Sequence, residues 1–121
     1  MKHRVKGRKF SRLVGPRKAF IKTLVGSFIV KEKITTTEAR AKEIKPIIDR
    51  MISKVKKMKQ DESKKVAVIR DLQRYMPIVA AKKLSGDFVK KFDGRNSGFT
   101  RITKLGMRKS DSAKMAVIEF V

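Results

Sequence analysis

The 121-residue sequence contains no cysteine and no tryptophan, and it has a single histidine and a single tyrosine. The absence of cysteine excludes disulfide bonds, cysteine-ligated zinc sites and thiol catalysis. No apolar run approaches the roughly 20 residues that a helix needs to span a bilayer. No apolar segment followed by a small-residue cleavage site occurs near the N-terminus, so we do not expect secretion. These absences fit a reducing compartment, and we expect a cytoplasmic protein.

Acidic residues are also scarce, and their distribution is uneven. The chain has 33 Lys and Arg against 11 Asp and Glu, a formal net charge of +22. Residues 1–31 hold ten of the basic residues and no acid, because the first carboxylate is Glu32. A compact chain with this charge repels itself, so a polyanionic partner is expected. Nucleic acid is the first candidate, and an anionic membrane surface is the second.

Motifs for catalysis are missing as well. His3, the only histidine, lies in the basic N-terminal segment and not in a predicted pocket. The sequence contains no G-x-x-x-x-G-K-[ST] loop, no G-x-S-x-G turn and no G-x-G-x-x-G motif. Acids with the spacing of a calcium-binding loop are absent too. We therefore expect a protein that is not an enzyme and that has no cofactor, no metal site and no small-molecule substrate.

What is present predicts one α+β domain behind a basic arm. Residues 1–16 contain Gly7, Gly15 and Pro16 without a periodic apolar pattern, which predicts an extended arm. Residues 17–121 are predicted to form a single domain, in the order α-β-α-α-α-β-β, with helices packed on a small mixed sheet in two layers. The first helix is predicted over residues 17–30 and the first strand over 31–36. A basic, acid-poor N-terminus is also typical of an organellar transit peptide, but the segment from Arg17 onward continues directly into a predicted core helix, which argues against one.

Two details of this prediction concern the next helix, which is predicted to continue to about Lys59. Its start is capped either by Thr37 or by Thr35 in a capping box with Glu38. Pro46 lies inside the helix and is expected to kink it without ending it, since the apolar stripe continues in phase.

The C-terminal segment RNSGFTRITKLGMRK forms a second basic patch, over predicted strand residues 99–106. Alternation leaves neither strand face cleanly apolar, which is typical of an edge strand with long basic side chains. Phe99 could stack on an RNA base or pack in the core, and we favour packing.

Three segments resemble the family of the bacterial large-subunit ribosomal protein seventeen, and the resemblance extends over essentially the whole chain. MKHRVKGRKFSR is similar to the family's opening of Met, a basic residue, His and Arg. ITTTEARAKEIKP is similar to its strand-to-helix junction, and RNSGFTRITKLGMRKSDSAKMAVIEFV to its C-terminal hairpin. The resemblance implies a structural protein of the large ribosomal subunit that binds ribosomal RNA near the exit of the nascent-chain tunnel, without catalysis.

The same resemblance implies particular RNA contacts. Those in the arm are Lys2, His3, Arg4, Gly7, Arg8, Lys9 and Arg12, and those on the domain are Thr36, Thr37, Arg40, Thr100, Arg101, Lys104 and Arg108. The pattern of basic residues adds Lys6, Arg17, Lys18, Lys22 and Lys109. The expected partners are large-subunit ribosomal RNA and neighbouring large-subunit proteins. A basic DNA-compacting protein is the alternative; a role at a membrane surface is disfavoured, because residues 17–30 are expected to be buried.

Overall fold

The structure is a computed structural model that describes residues 7–121, so Lys2, His3, Arg4 and Lys6 lie outside the described residues. The described residues form four α-helices and three strands. In order they are α1 (Val14–Lys31), β1 (Lys33–Thr37), α2 (Glu38–Gln60), α3 (Lys65–Tyr75), α4 (Ile78–Ser85), β2 (Thr100–Met107) and β3 (Lys114–Phe120). Short 3-10 helices, Glu62–Lys64 and Asp87–Phe92, precede α3 and follow α4. The α+β class predicted from the sequence is confirmed.

The sheet is antiparallel throughout, so the predicted mixed sheet is wrong. Its order is β1-β3-β2, and both neighbours of β3 run antiparallel to it. Strands β1 and β2 run in the same direction, but β3 lies between them and no parallel pair forms. Ile34, Ile118 and Ile102 align across the three strands on one face, and α2 lies against all three.

Helix α2 supplies more buried apolar residues to the core than any other element, as its apolar period predicts. Its buried residues are Ala41, Ile44, Ile48, Met51, Ile52, Val55 and Met58. Pro46 lies within the continuous helix on its exposed side. Thr37 is the N-cap, because its side chain accepts a hydrogen bond from the Arg40 N–H at 3.3 Å, and this decides between the two predicted caps.

Helix α1 begins at Val14, before the predicted boundary between residues 16 and 17. Pro16 therefore lies in the first turn, where its missing N–H removes no helical hydrogen bond. Phe28 is fully buried and stacks on Phe120 of β3, with ring centroids 4.5 Å apart. Residues 14–16 are thus helical, whereas the sequence predicts an extended backbone there.

Candidate nucleic-acid interface

The described part of the arm is held against the domain by one carboxylate. The Arg8 backbone N–H donates to Glu43 Oε1 and its guanidinium donates to Glu43 Oε2, each at 3.3 Å. Gly7 has a φ of 79°, and a Cβ there would lie 3.0 Å from Glu43 Oε1. Glycine at this position therefore allows both the turn and the close approach to α2.

The arm then turns back onto α1 through an aromatic contact. The Arg12 N–H donates to the Lys9 carbonyl at 3.1 Å, which closes a turn. The Phe20 ring of α1 receives the Arg12 guanidinium at 3.9 Å and the Arg40 guanidinium at 5.0 Å from its centroid. Phe10 packs edge-on against the same ring at 5.4 Å. Arg12 and Arg40, both predicted RNA contacts, therefore also hold the arm in place.

A hollow of about 570 Å³ lies between the docked arm and helices α1, α2 and α3; we name it the arm groove. Its basic lining residues are Arg8, Lys9, Arg17, Lys18, Lys22 and Arg74. Glu43 is the one acid among the lining residues, and it is engaged by Arg8. Half-buried Ile21, Ile47 and Tyr75 supply an apolar part of the lining. The groove thus combines a strong positive potential with a sheltered apolar surface.

A second hollow, of about 340 Å³, continues from the arm groove towards the C-terminal hairpin. Arg8 lines both hollows, and Lys42 and Lys114 line the second one. Glu38, on its wall, forms ion pairs with Lys42 at 2.7 Å and with Lys104 at 3.6 Å. The hydrogen bond from Lys42 is the main reason why the pKa of Glu38 lies below its ordinary value. Basic side chains therefore line both hollows, from Arg8 of the arm to Lys104 of β2 and Lys114 of β3.

The hairpin of β2 and β3 presents a group of basic side chains, which we name the hairpin surface: Arg101, Lys104, Arg108, Lys109 and Lys114, all exposed. Its turn is fixed by Arg108, which donates to both carboxylate oxygens of Asp111 at 2.9 and 2.7 Å. These hydrogen bonds, led by those from Arg108, lower the pKa of Asp111 to about 2. Arg101 donates to Glu119 at 2.6 Å, which likewise lowers the pKa of that carboxyl group.

Two of the predicted contact residues, Thr37 and Thr100, make structural contacts within the domain, and a third, Thr36, is buried. Thr36 and Thr100 are 8% and 4% exposed, so their side chains contribute little to the surface of the domain, and their contact with RNA stays a prediction. Thr100 Oγ1 donates to Asp49 and accepts from Lys45, each at 3.0 Å, which joins β2 to α2. Thr37 is the half-buried N-cap of α2. Thr36, Thr37 and Thr100 lie in strands, where successive side chains point to opposite faces of the sheet, so a shift of one residue moves a side chain from the surface to the core.

Phe99 packs in the core, in agreement with the interpretation favoured from the sequence. It is 1% exposed and contacts Phe92 edge-on at 5.4 Å, so it is not available to stack on RNA.

Sequence reasoning missed three residues of the arm groove: Glu43, Arg74 and Tyr75. In the sequence Glu43 looks like the other two acids of α2, which also lie near Lys or Arg, and its partner Arg8 is 35 positions away. The adjacent Arg74 and Tyr75 end α3 just before Pro77, and no local pattern links them to the arm. The one available signal was that Tyr75 is the only tyrosine in a very basic chain.

Within residues 7–121, no helix is long and apolar enough to cross a membrane. The same residues contain no group of three or more His, Asp or Glu side chains arranged to hold a metal ion.

Comparisons with known proteins agree with the resemblance seen in the sequence. A family model described as Ribosomal protein L17 matches residues 20–121. Among curated proteins, the chain is similar to the large ribosomal subunit protein bL17 of Thermodesulfovibrio yellowstonii, 39% identical over 122 residues, with 100% of this chain and 87% of the relative covered. The bL17 proteins of Hydrogenobaculum sp. and Petrotoga mobilis are 38% and 32% identical, with 100% of this chain and 99% and 97% of the relatives covered.

Proposed function

Since this chain belongs to the ribosomal protein L17 family, we propose that it is a structural component of the bacterial large ribosomal subunit and that it binds ribosomal RNA. It acts without catalysis, in the ribosome-bound state in the cytoplasm, beside neighbouring large-subunit proteins. Its position is close to the exit of the nascent-chain tunnel, as the resemblance to the family implies.

The observation that carries the RNA-binding proposal is the continuous basic surface from the arm groove to the hairpin surface. Few acids interrupt it, and those that do are each paired with a basic side chain: Glu43, Glu38, Asp111 and Glu119. Exposed Lys18, Lys22 and Lys109 have no acidic partner within 4 Å among the described residues. Such side chains replace the counterions of phosphates when RNA binds.

Recognition on this surface depends mainly on phosphates and on the shape of folded RNA. The described surface residues are dominated by Lys and Arg, which position a protein on a nucleic-acid backbone without reading its sequence. If about 6–10 phosphates are neutralised, affinity for RNA falls about 10³–10⁵-fold between 50 and 200 mM salt. A nearly flat salt dependence would contradict this proposal.

Sedimentation tests the proposed place in the ribosome. A lysate of cells that produce the chain is washed with high salt and separated on a sucrose gradient, and the fractions are probed for the protein. We expect stoichiometric retention in the large-subunit peak, because loosely bound polycations are removed by the wash. Release to the top of the gradient, together with equal affinity for duplex DNA, would favour a DNA-compacting protein instead.

Matched double variants test which surface binds RNA. Lys18→Gln/Lys22→Gln removes two charges from the arm groove, and Lys57→Gln/Lys59→Gln removes two exposed charges from the far end of α2. We expect the groove variant to reduce the slope of log Kd against log salt by about 2, or about 1 for each lost phosphate contact. The α2 variant should leave the slope unchanged. Equal effects of both variants would mean that binding is not localised to the groove.

A further inference from the structure

We propose that the arm groove holds an unpaired nucleotide of the bound RNA, with its base on the Tyr75 ring and its phosphate at the basic side chains around it. This inference rests on the proposed function, since it names the kind of RNA element that the groove takes. It goes further, because contacts to a phosphate backbone alone need no aromatic side chain.

The composition of the groove separates it from the rest of the basic surface. The hairpin surface consists of exposed Lys and Arg side chains, whereas the groove also has an apolar part made by Ile21, Ile47 and Tyr75. A nucleotide has the same two-part chemistry, because its base is planar with large apolar faces and its phosphate is anionic. Aromatic and Arg side chains stack on the faces of unpaired bases, while basic side chains follow the backbone.

Tyr75 is suitably placed for stacking. It is the last residue of α3, lines the groove and is half-buried, so its ring is held against the core while part of it remains accessible. Among the described residues its hydroxyl group has no hydrogen-bond partner, so the fold does not depend on that group. Arg74, its neighbour in the chain, lines the same groove and supplies a forked donor for a phosphate.

The size of the groove favours a single nucleotide over a duplex. Its volume of about 570 Å³ falls within the range of about 300–1,000 Å³ typical of sites for small ligands. The bases of a duplex are stacked inside the helix, and their faces become available only where a nucleotide is unpaired or extruded. Bulges and loops of a folded RNA provide such nucleotides.

The docked arm forms one side of this site before RNA binds. Gly7, Arg8 and Lys9 form one wall of the groove, and Glu43 holds that wall to α2 through both of its carboxylate oxygens. A wall that is already ordered lowers the entropic cost of binding.

The chain has one tyrosine and no tryptophan, so its intrinsic fluorescence reports on Tyr75. We would titrate the full chain with two RNA hairpins, one fully paired and one identical except for a single bulged adenosine. N-acetyltyrosinamide corrects for light absorbed by the RNA. We expect saturable quenching of Tyr75 emission by the bulged hairpin, and little quenching by the paired hairpin. Equal quenching by both would overturn the proposal.

Variants of Tyr75 give an independent measure of stacking. Tyr75→Leu removes the aromatic ring and should weaken binding of the bulged hairpin about 5- to 100-fold, the effect of losing one stacked base. It should leave the affinity for the paired hairpin unchanged. Tyr75→Phe keeps the ring and should retain the preference for the bulged hairpin. A Tyr75→Leu variant that weakens both hairpins equally, with an unchanged melting temperature, would overturn the proposal.

Arg74 supplies a matched comparison that does not alter the apolar part of the groove. Arg74→Gln should weaken binding of the bulged hairpin more than Arg70→Gln, which removes the same charge one turn earlier on α3 from an exposed position outside the groove. Equal losses would contradict the proposal even if Tyr75→Leu failed to fold.

The controls separate this inference from the proposed function. If the chain shows salt-dependent binding to both hairpins without any preference, the groove inference fails and the proposed function stands. If it binds neither hairpin and leaves the large-subunit peak, the proposed function itself fails. Quenching by an acidic polyglutamate peptide at the same charge concentration as the bulged RNA would assign the groove to a segment of a neighbouring protein instead.

Discussion

Gly26 lies where helix α1 meets Pro77 at the start of α4, and the packing there is close enough to exclude a side chain. A Cβ atom at Gly26 would lie 2.7 Å from Pro77 Cγ and closer still to its Cδ. The pyrrolidine ring is rigid, so it cannot rotate out of the way as a flexible side chain would. We therefore expect Gly26→Ala to destabilise the domain by forcing α1 and α4 apart.

Two opposing contributions set the size of this effect. Overpacking a core costs about 1–3 kcal/mol, whereas replacing a helical glycine by alanine stabilises the helix by about 1 kcal/mol. Because the clash is with a rigid ring, we expect the overpacking to dominate and the free energy of unfolding to fall by about 1–2 kcal/mol. In a chain of 121 residues, this lowers the Tm by about 3–10 °C.

Thermal and urea unfolding, followed by circular dichroism, measure the change. Gly15→Ala is the matched control, because Gly15 lies in the first turn of the same helix and its Cβ position has no neighbour within 4 Å. We expect this control to be neutral or stabilising by up to about 1 kcal/mol. Adding Pro77→Ala to Gly26→Ala should give a smaller loss than the sum of the two single variants. A Gly26→Ala variant as stable as Gly15→Ala would refute the reasoning.

Three further predictions concern the site and its supports. The Asp111 pKa of about 2 lies below the ordinary 3.8. The stabilising contribution of its pair with Arg108 is therefore complete above about pH 4 and is lost as the pH falls towards 2. Arg108→Gln should raise the Asp111 pKa towards 3.8 in an NMR titration, and an unchanged midpoint would contradict the assignment of the low pKa to Arg108. Thr100→Val leaves its half-buried partners, the Asp49 carboxylate and the Lys45 ammonium group, short of a hydrogen bond. It should reduce the free energy of urea unfolding by about 0.5–1.5 kcal/mol, whereas a neutral effect would mean that the two partners satisfy each other. Thr37→Ala should reduce the free energy of unfolding by about 1 kcal/mol in the same assay, because the helix cap is lost. Thr35→Ala, at an exposed position, should change it by less than about 0.5 kcal/mol. A larger loss for Thr35→Ala than for Thr37→Ala would favour the capping box.

Features encoded by neighbouring residues could be predicted from the sequence. The apolar stripe of α2 continues through Pro46, and its period alone identified the central helix of the core. Thr37 was one of two predicted caps because Ser and Thr side chains cap helices by a local hydrogen bond. Gly86 is an unfavourable residue inside a helix, and the structure ends α4 at Ser85 and continues as a 3-10 helix.

Features that depend on distant pairing could not be predicted. The order β1-β3-β2 follows from contacts between strands that are far apart in the chain, and the period of a strand does not identify its neighbours. The docking of the arm depends on Glu43, which looks like any other solvent-facing acid of α2 until the fold places Arg8 beside it. Tyr75 reaches the arm groove only because α3 packs beside α1 and α2.

The positions of the carboxylates explain how so basic a chain can fold and still present a basic surface to the proposed RNA partner. Glu43 joins the arm to α2, Asp71 joins α3 to α2 through Lys54, and Glu32 joins the end of α1 to Lys83 of α4. Asp111 closes the hairpin turn. Each acid therefore neutralises charge at a junction between elements, where repulsion would otherwise separate them. The excess positive charge remains on the outer surfaces, where the phosphates of a bound RNA can neutralise it.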